Sequence, residues 1–297
     1  MKKKNFKTFA IVGVIAGCVL IGTVSAFAAS VGNPYEDFKA AALQTTTETN
    51  MTVTADVTAK QDGAALLSGT MVSQQNGENS YSSTKMQVNG QTVDREESST
   101  AGATIMRNGD TYTSITRDSA RVEKQDKTMA SPNTQKLMSM VADLLVGNTK
   151  THFTSSGDTV TVNLDGAQVP ELLNVAVAAG MERTGSKPDM PMMNGNNPMG
   201  TVLQNLAITQ NAKVDSIHMT AGLANGALSA VDCTVVLSGQ DSSGGSHEID
   251  VTVNAKITDI GATTPAAVDT TGKTVTQDQM PGRGMGMGKG MPMDMGK

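Results

Sequence analysis

The stretch Met51-Thr52-Val53-Thr54-Ala55-Asp56-Val57-Thr58-Ala59-Lys60 alternates apolar and polar residues almost without error. Side chains on a strand point to opposite faces in turn, so this period of two predicts a strand with one buried and one solvated face. Further strand-length runs follow at 65–74, 79–88, 91–99, 103–107 and 111–117. Asn76-Gly77, Asn89-Gly90 and Asn108-Gly109 separate them, and Asn225-Gly226 recurs later. Asn-Gly supplies the positive φ that a two-residue hairpin turn needs. The chain is therefore constrained to an antiparallel meander.

Helical signals flank the strands. Asn33 can cap, Pro34 suits a first turn, and Tyr35, Phe38, Ala42 and Leu43 share a face, which predicts a helix over 34–43. Ser131-Pro132-Asn133 opens a second helix through Leu145, closed by Gly147. Strands are expected near 150–155 and 158–164, joined at Ser156-Gly157, and a short apolar helix at 170–179. Residues 181–200 break the pattern with prolines, glycines and five methionines, and a short helix near 200–206 is compatible with the sequence. Strands resume at 212–221, 227–239 and 247–259. From Gly261 the chain turns Thr/Pro/Ala-rich and then Gly/Met-rich, which reads as a disordered tail. The fold expected is α+β and β-rich. It is one strongly curved antiparallel sheet, a half-barrel, with a few helices on its concave face and a disordered C-terminal tail.

Residues 1–28 read as a secretory signal. Lys2, Lys3, Lys4 and Lys7 form a basic start, and no charge follows from Thr8 to Ala29. Ala26-Phe27-Ala28 fits a signal peptidase, Ile15-Ala16-Gly17-Cys18 fits a lipobox, and the uncharged run is long enough to remain as a membrane anchor. The apolar residues after Cys18 favour cleavage after Ala28. All three endings place the domain of 33–262 and the tail of 263–297 outside the cytoplasm, and the chain touches a membrane only through an uncleaved or lipidated N-terminus.

Residues 1–28 hold four lysines and no acid, so without them nineteen basic side chains face 28 acidic ones, a net charge of −9. That balance argues against nucleic acid and anionic lipid surfaces as partners. Cleavage at Ala28 leaves Cys233 as the one cysteine, which excludes an internal disulfide, and its place in Val231-x-Cys233-x-Val235-x-Leu237 marks a small buried side chain.

The order of elements resembles the LolA/LppX type of envelope protein. The resemblance covers residues 33–262 and rests on architecture. It is carried by the opening helix "NPYEDFKAAALQ" with the strand "MTVTADVTA", the inserted helix "SPNTQKLMSMVADLL" and the closing strand "IDVTVNAKITDIG". It implies a half-open barrel covered by helices and a non-enzymatic carrier of lipid or another hydrophobic ligand, or a related envelope module. It assigns no binding residue.

Methionine is the other distinctive feature. Eleven of the 20 fall at 181, 190, 192, 193 and 199 and at Met280, Met285, Met287, Met291, Met293 and Met295. Thioethers are soft ligands suited to Cu(I), and a Gly-rich tail could wrap several round one ion. The alternatives are a low-complexity tail without a ligand, a sink for oxidants, or a spacer in a structural or surface interaction module. His152, His218 and His247 show no zinc-like spacing. Ser82-Ser83-Thr84-Lys85 matches Ser-x-x-Lys in a strand, without the companion motifs of that chemistry, and Thr271-Gly272-Lys273-Thr274 lacks the glycine and the strand-to-helix setting of a phosphate loop. No set of residues combines a nucleophile with a base, so catalysis is not expected.

Overall fold

The computed structural model describes residues 33–116, 146–175, 177–178 and 206–277. The signal-like segment, the helix expected at 131–145, the methionines at 181–199 and those at 280–295 lie outside them, as does nearly all of 200–206.

The first helix, α1, spans Pro34–Thr47. Asn33 is extended, and its Oδ1 accepts the Tyr35 N–H at 3.1 Å. Glu36 and Asp37 lie in the first turn, where carboxylates complement the helix dipole. Tyr35, Phe38, Ala41, Ala42 and Thr45 form its buried face.

Twelve strands follow among the described residues. The first meander is β1 (Asn50–Gln61), β2 (Ala64–Asn76), β3 (Asn79–Val88), β4 (Gln91–Ser99), β5 (Ala103–Asn108) and β6 (Thr111–Thr116). The second is β7 (Phe153–Ser156), β8 (Thr159–Asp165), β9 (Gln210–Ala224), β10 (Ala227–Gln240) and β11 (Ser246–Thr258), and β12 (Val275–Gln277) ends the series. They make one curved open sheet in the order β12-β6-β5-β4-β3-β2-β1-β11-β10-β9-β8-β7. Each meander is sequential. The two join where β1 pairs antiparallel with β11, Ala55 opposite Ala255.

The registers define the buried face. One row runs Val93, Met86, Gly69, Val57, Val253, Cys233, Met219, Val162 and Phe153, each opposite the next across nine strands. Gly69 is the gap in it. A Cβ there would run into the Lys85 carbonyl oxygen and lie 2.6 Å from Met86 Cα, so the two strands approach more closely than a side chain permits. Cys233 is 2% exposed in this row, as its alternation predicts. At the far end Phe153 receives α1. Its ring meets Tyr35 edge-on at 5.1 Å and Phe38 at 6.0 Å. Tyr35 and Phe38 have no exposed surface, and burial of such side chains contributes about 1.5–3 kcal/mol each.

Three expectations change. Residues 147–152 form a 3-10 turn, Gly147–His152, and the strand begins only at Phe153. Thr149 Oγ1 bonds back to the Val146 carbonyl at 2.6 Å and Thr151 Oγ1 to that of Asn148 at 3.1 Å. These local bonds compete with the ladder. Next, the sheet is not wholly antiparallel: β12 pairs parallel with β6, Thr276 opposite Thr113. Last, fixed packing does not end at Gly261.

Residues 262–277 lie along the face opposite α1. Thr263 N–H donates to Asn50 Oδ1 at 2.7 Å, Ala266 N–H to Gln74 Oε1 at 2.9 Å, and Val268 N–H to Ser98 Oγ at 3.2 Å. Thr263 and Val268 are 3% and 4% exposed. The segment therefore crosses β1, β2 and β4 before joining the edge beside β6. A Thr/Pro/Ala composition is too poor in apolar residues to fold alone, but the sheet supplies its partners.

Candidate functional site: a cleft at the end of the helix

The C-terminal end of α1 stands over the β9–β10 hairpin. Asn225 and Gly226 turn that hairpin with φ of 52° and 79°. The β9–β10 ladder shifts register just past Leu228, whose N–H lies beyond the β11 pairing that begins at Ala230. Thr45 of α1 supplies its partner. Thr45 Oγ1 donates to the Ala41 carbonyl and accepts from Leu228 N–H, both at 2.9 Å. Gly226 is called for by its positive φ; a Cβ there would meet only the movable tip of the Gln44 side chain, 2.8 Å away.

Beside this junction is a half-open cleft of about 400 Å³. Ala224, Ala227, Leu228, Ile257 and Ile260 line it on its apolar side, and Gln44, Asn225, Ser229, Thr258 and Asp259 are its polar members. Leu228 and Ala227 are buried, while Ile260 is 39% exposed. Ile257 packs against the same core that α1 covers. The volume falls within the 300–1,000 Å³ typical of ligand pockets, roughly. A second cleft of about 560 Å³ lies among Asn148, Gln168, Glu171 and Asn174. Ala167, Val169 and Pro170 also line it, and Asn174 Oδ1 already accepts the Val214 N–H at 2.8 Å.

The histidines are held on separate elements. His152 ends the 3-10 turn, and His218 on β9 meets Asn163 Oδ1 at 3.1 Å and Asp165 Oδ1 at 3.3 Å. His247 bridges two turns. Its Nδ1 lies 2.7 Å from Asp62 Oδ2 in the β1–β2 turn and its Nε2 3.3 Å from Asp241 Oδ2 in the β10–β11 turn. Asp62 Oδ1 also accepts the Glu248 N–H, and Asp241 Oδ1 accepts from Ser243 N–H, Ser243 Oγ and Gly245 N–H. The two carboxylates raise the His247 pKa, Asp62 first. The bond to His247 lowers Asp62, and the Ser243 hydroxyl, the Gly245 amide and His247 lower Asp241. With both ring nitrogens engaged by carboxylates, this cluster clasps two hairpins. Among the described residues no His/Cys/Asp/Glu group is arranged to hold a metal ion.

The other sequence candidates separate in space. Ser82 and Lys85 lie an odd number of residues apart on β3, so they point to opposite faces. Thr271 and Gly272 form a turn, closed by Lys273 N–H donating to the Thr270 carbonyl at 3.0 Å and tied by Asp269 Oδ1 accepting Thr271 N–H at 2.9 Å. An ion-pair cluster braces β4 and β5: Arg107 grips Asp94 through both nitrogens at 2.7 and 3.0 Å and Glu96 at 2.8 Å. Sequence reasoning missed Gln44, Thr45, Ile257, Asp62 and Asp241. The Asn225-Gly226 turn was the one signal near the cleft. Among the described residues, no helix is long and apolar enough to cross a membrane. No protein-family model matches this chain, and no curated protein matches it.

Proposed function

We propose that this is an exported, non-enzymatic protein of the cell envelope that binds a lipid or another hydrophobic ligand, in the manner implied by its resemblance to the LolA/LppX type. The observation that carries the reading is the apolar cleft where the end of α1 stands over the buried face of β9, β10 and β11. An acyl chain gains free energy by leaving water for such a wall, at about 25 cal/mol per Å² of apolar surface. Gln44 and Asp259 at the same cleft could orient a polar head.

Native mass spectrometry of the chain from its own host's exported fraction tests this. Lipid mass that is lost on denaturation is expected, reduced by Ile260→Asp and retained when 278–297 are removed. The truncation must start there, because 263–277 pack on the sheet. A bare polypeptide, or lipid indifferent to Ile260→Asp, overturns the proposal. Copper lost with residues 278–297 would instead favour the soft-metal reading of Met280 to Met295. The same spectrum reads the N-terminus, expected at Ala29.

A further inference from the structure

We propose that the cleft beside the end of α1 selects an amphiphile with one alkyl chain and a cationic amine head over one with an anionic head. The inference rests on the reading of that cleft as an apolar ligand site, and adds the charge of what enters it. A cleft of about 400 Å³ has room for about 13 non-hydrogen atoms at the roughly 30 Å³ that one water takes in the liquid, enough for one medium-length chain and not for two.

Three features set the sign of the field there. The first is the lining. Among the described residues that line the cleft, Asp259 is the one charged side chain, and the other polar members are amides and hydroxyls, which suit a head of either sign. The nearest base along β11, Lys256, stands one residue from Ile257 and so points to the opposite face of the sheet. The second is α1. Its C-terminal end carries the partial negative charge of the helix dipole, and its last turn has no basic side chain. Thr46 Oγ1 and Thr47 Oγ1 donate to the Leu43 and Gln44 carbonyls at 2.7 and 2.8 Å, which satisfies hydrogen bonds without supplying a positive charge.

The third is the rim of the sheet. The connections at this end carry Glu48 before β1, Glu78 between β2 and β3, Asp158 between β7 and β8, and Asp259 after β11. Those between β4 and β5 and between β9 and β10 are uncharged, so these described connections hold acids and no base. Asp158 is close to the cleft along the backbone: its carbonyl accepts the Leu223 N–H at 2.7 Å, one residue from Ala224 in the lining. An ammonium head is attracted by all three features, and a carboxylate or phosphate head is repelled by all three. The apolar wall takes the tail in either case, so the head decides between chains of equal length.

Isothermal titration calorimetry of the full chain with decylammonium, decanol and decanoate tests this at about pH 7, where the amine is protonated and the carboxylate ionised. Decylammonium is expected to bind about tenfold more tightly than decanoate, with decanol between them, because attraction of one head and repulsion of the other at exposed charges each contribute about threefold. Asp259→Asn keeps a residue suited to the φ of 54° at this position, and should narrow the ratio to about threefold, the share left to the helix end. Raising the salt from about 0.1 M to 1 M, which shortens the Debye length from about 10 to 3 Å, should narrow it as well. Decanoate that binds as tightly as decylammonium, or a preference that either Asp259→Asn or salt leaves unmoved, overturns the cationic head, while binding of decanol in the same experiment upholds the apolar cleft. If none of the three probes binds, the reading of the cleft falls and this inference falls with it.

Discussion

Replacing Thr45 by valine isolates one bond between the helix and the sheet. The side chains are nearly isosteric, and Thr45 is 8% exposed, so packing is conserved. What disappears is the hydroxyl that accepts Leu228 N–H at 2.9 Å. Leu228 is 3% exposed, lies beyond the β11 pairing that begins at Ala230, and has Thr45 Oγ1 as the acceptor of its N–H. A buried donor left unsatisfied costs about 1–3 kcal/mol. At about 2–4 °C per kcal/mol for a domain of this size, the melting temperature should fall by roughly 2–12 °C. Thr45→Ser keeps the oxygen and loses one methyl group, about 0.8 kcal/mol. Urea unfolding of the three chains gives the comparison, with equal slopes expected because the exposed surface on unfolding is unchanged. Thr45→Val as stable as Thr45→Ser would refute the reasoning.

Three further outcomes are expected. Gly69→Ala should destabilise by about 1–3 kcal/mol, because the added Cβ meets the backbone of Lys85 and Met86 and not a movable side-chain tip; chemical denaturation measures it. Val268→Ala should cost about 1–2 kcal/mol and raise amide exchange across 262–277, whereas removing 278–297 should leave that exchange unchanged. The His247 clasp gives a pH signature. Its raised pKa means its contribution is complete below the unfolded value of about 6.5 and is lost as pH rises through the higher folded value. The lowered pKa values of Asp62 and Asp241 make theirs complete above about 3.9 and lost on acidification. The difference in melting temperature between the unmodified chain and His247→Gln should be widest between these limits and shrink above them; a difference constant from pH 5 to 9 would show the clasp to be uncharged.

The sequence by itself determined the parts that depend on neighbours along the chain. Alternation in 51–60 gave a strand because successive side chains must point to opposite faces. Asn-Gly at 76, 89, 108 and 225 gave hairpins because those residues accept the backbone such turns require. Asn33 and Pro34 started α1 through one cap and one fixed φ. Together they sufficed for a curved meander with helices. The tertiary structure decided what depends on partners far apart in the chain. Thr45 and Leu228 are separated by 183 residues, and His247 and Asp62 by 185. No period marks either pair, because their contact follows from β1 closing against β11. The same reason hid the packing of 262–277. Ala262–Gln277 has too little apolar surface to announce a fold, and its order comes from acceptors at Asn50, Gln74 and Ser98 that the sheet had already lined up.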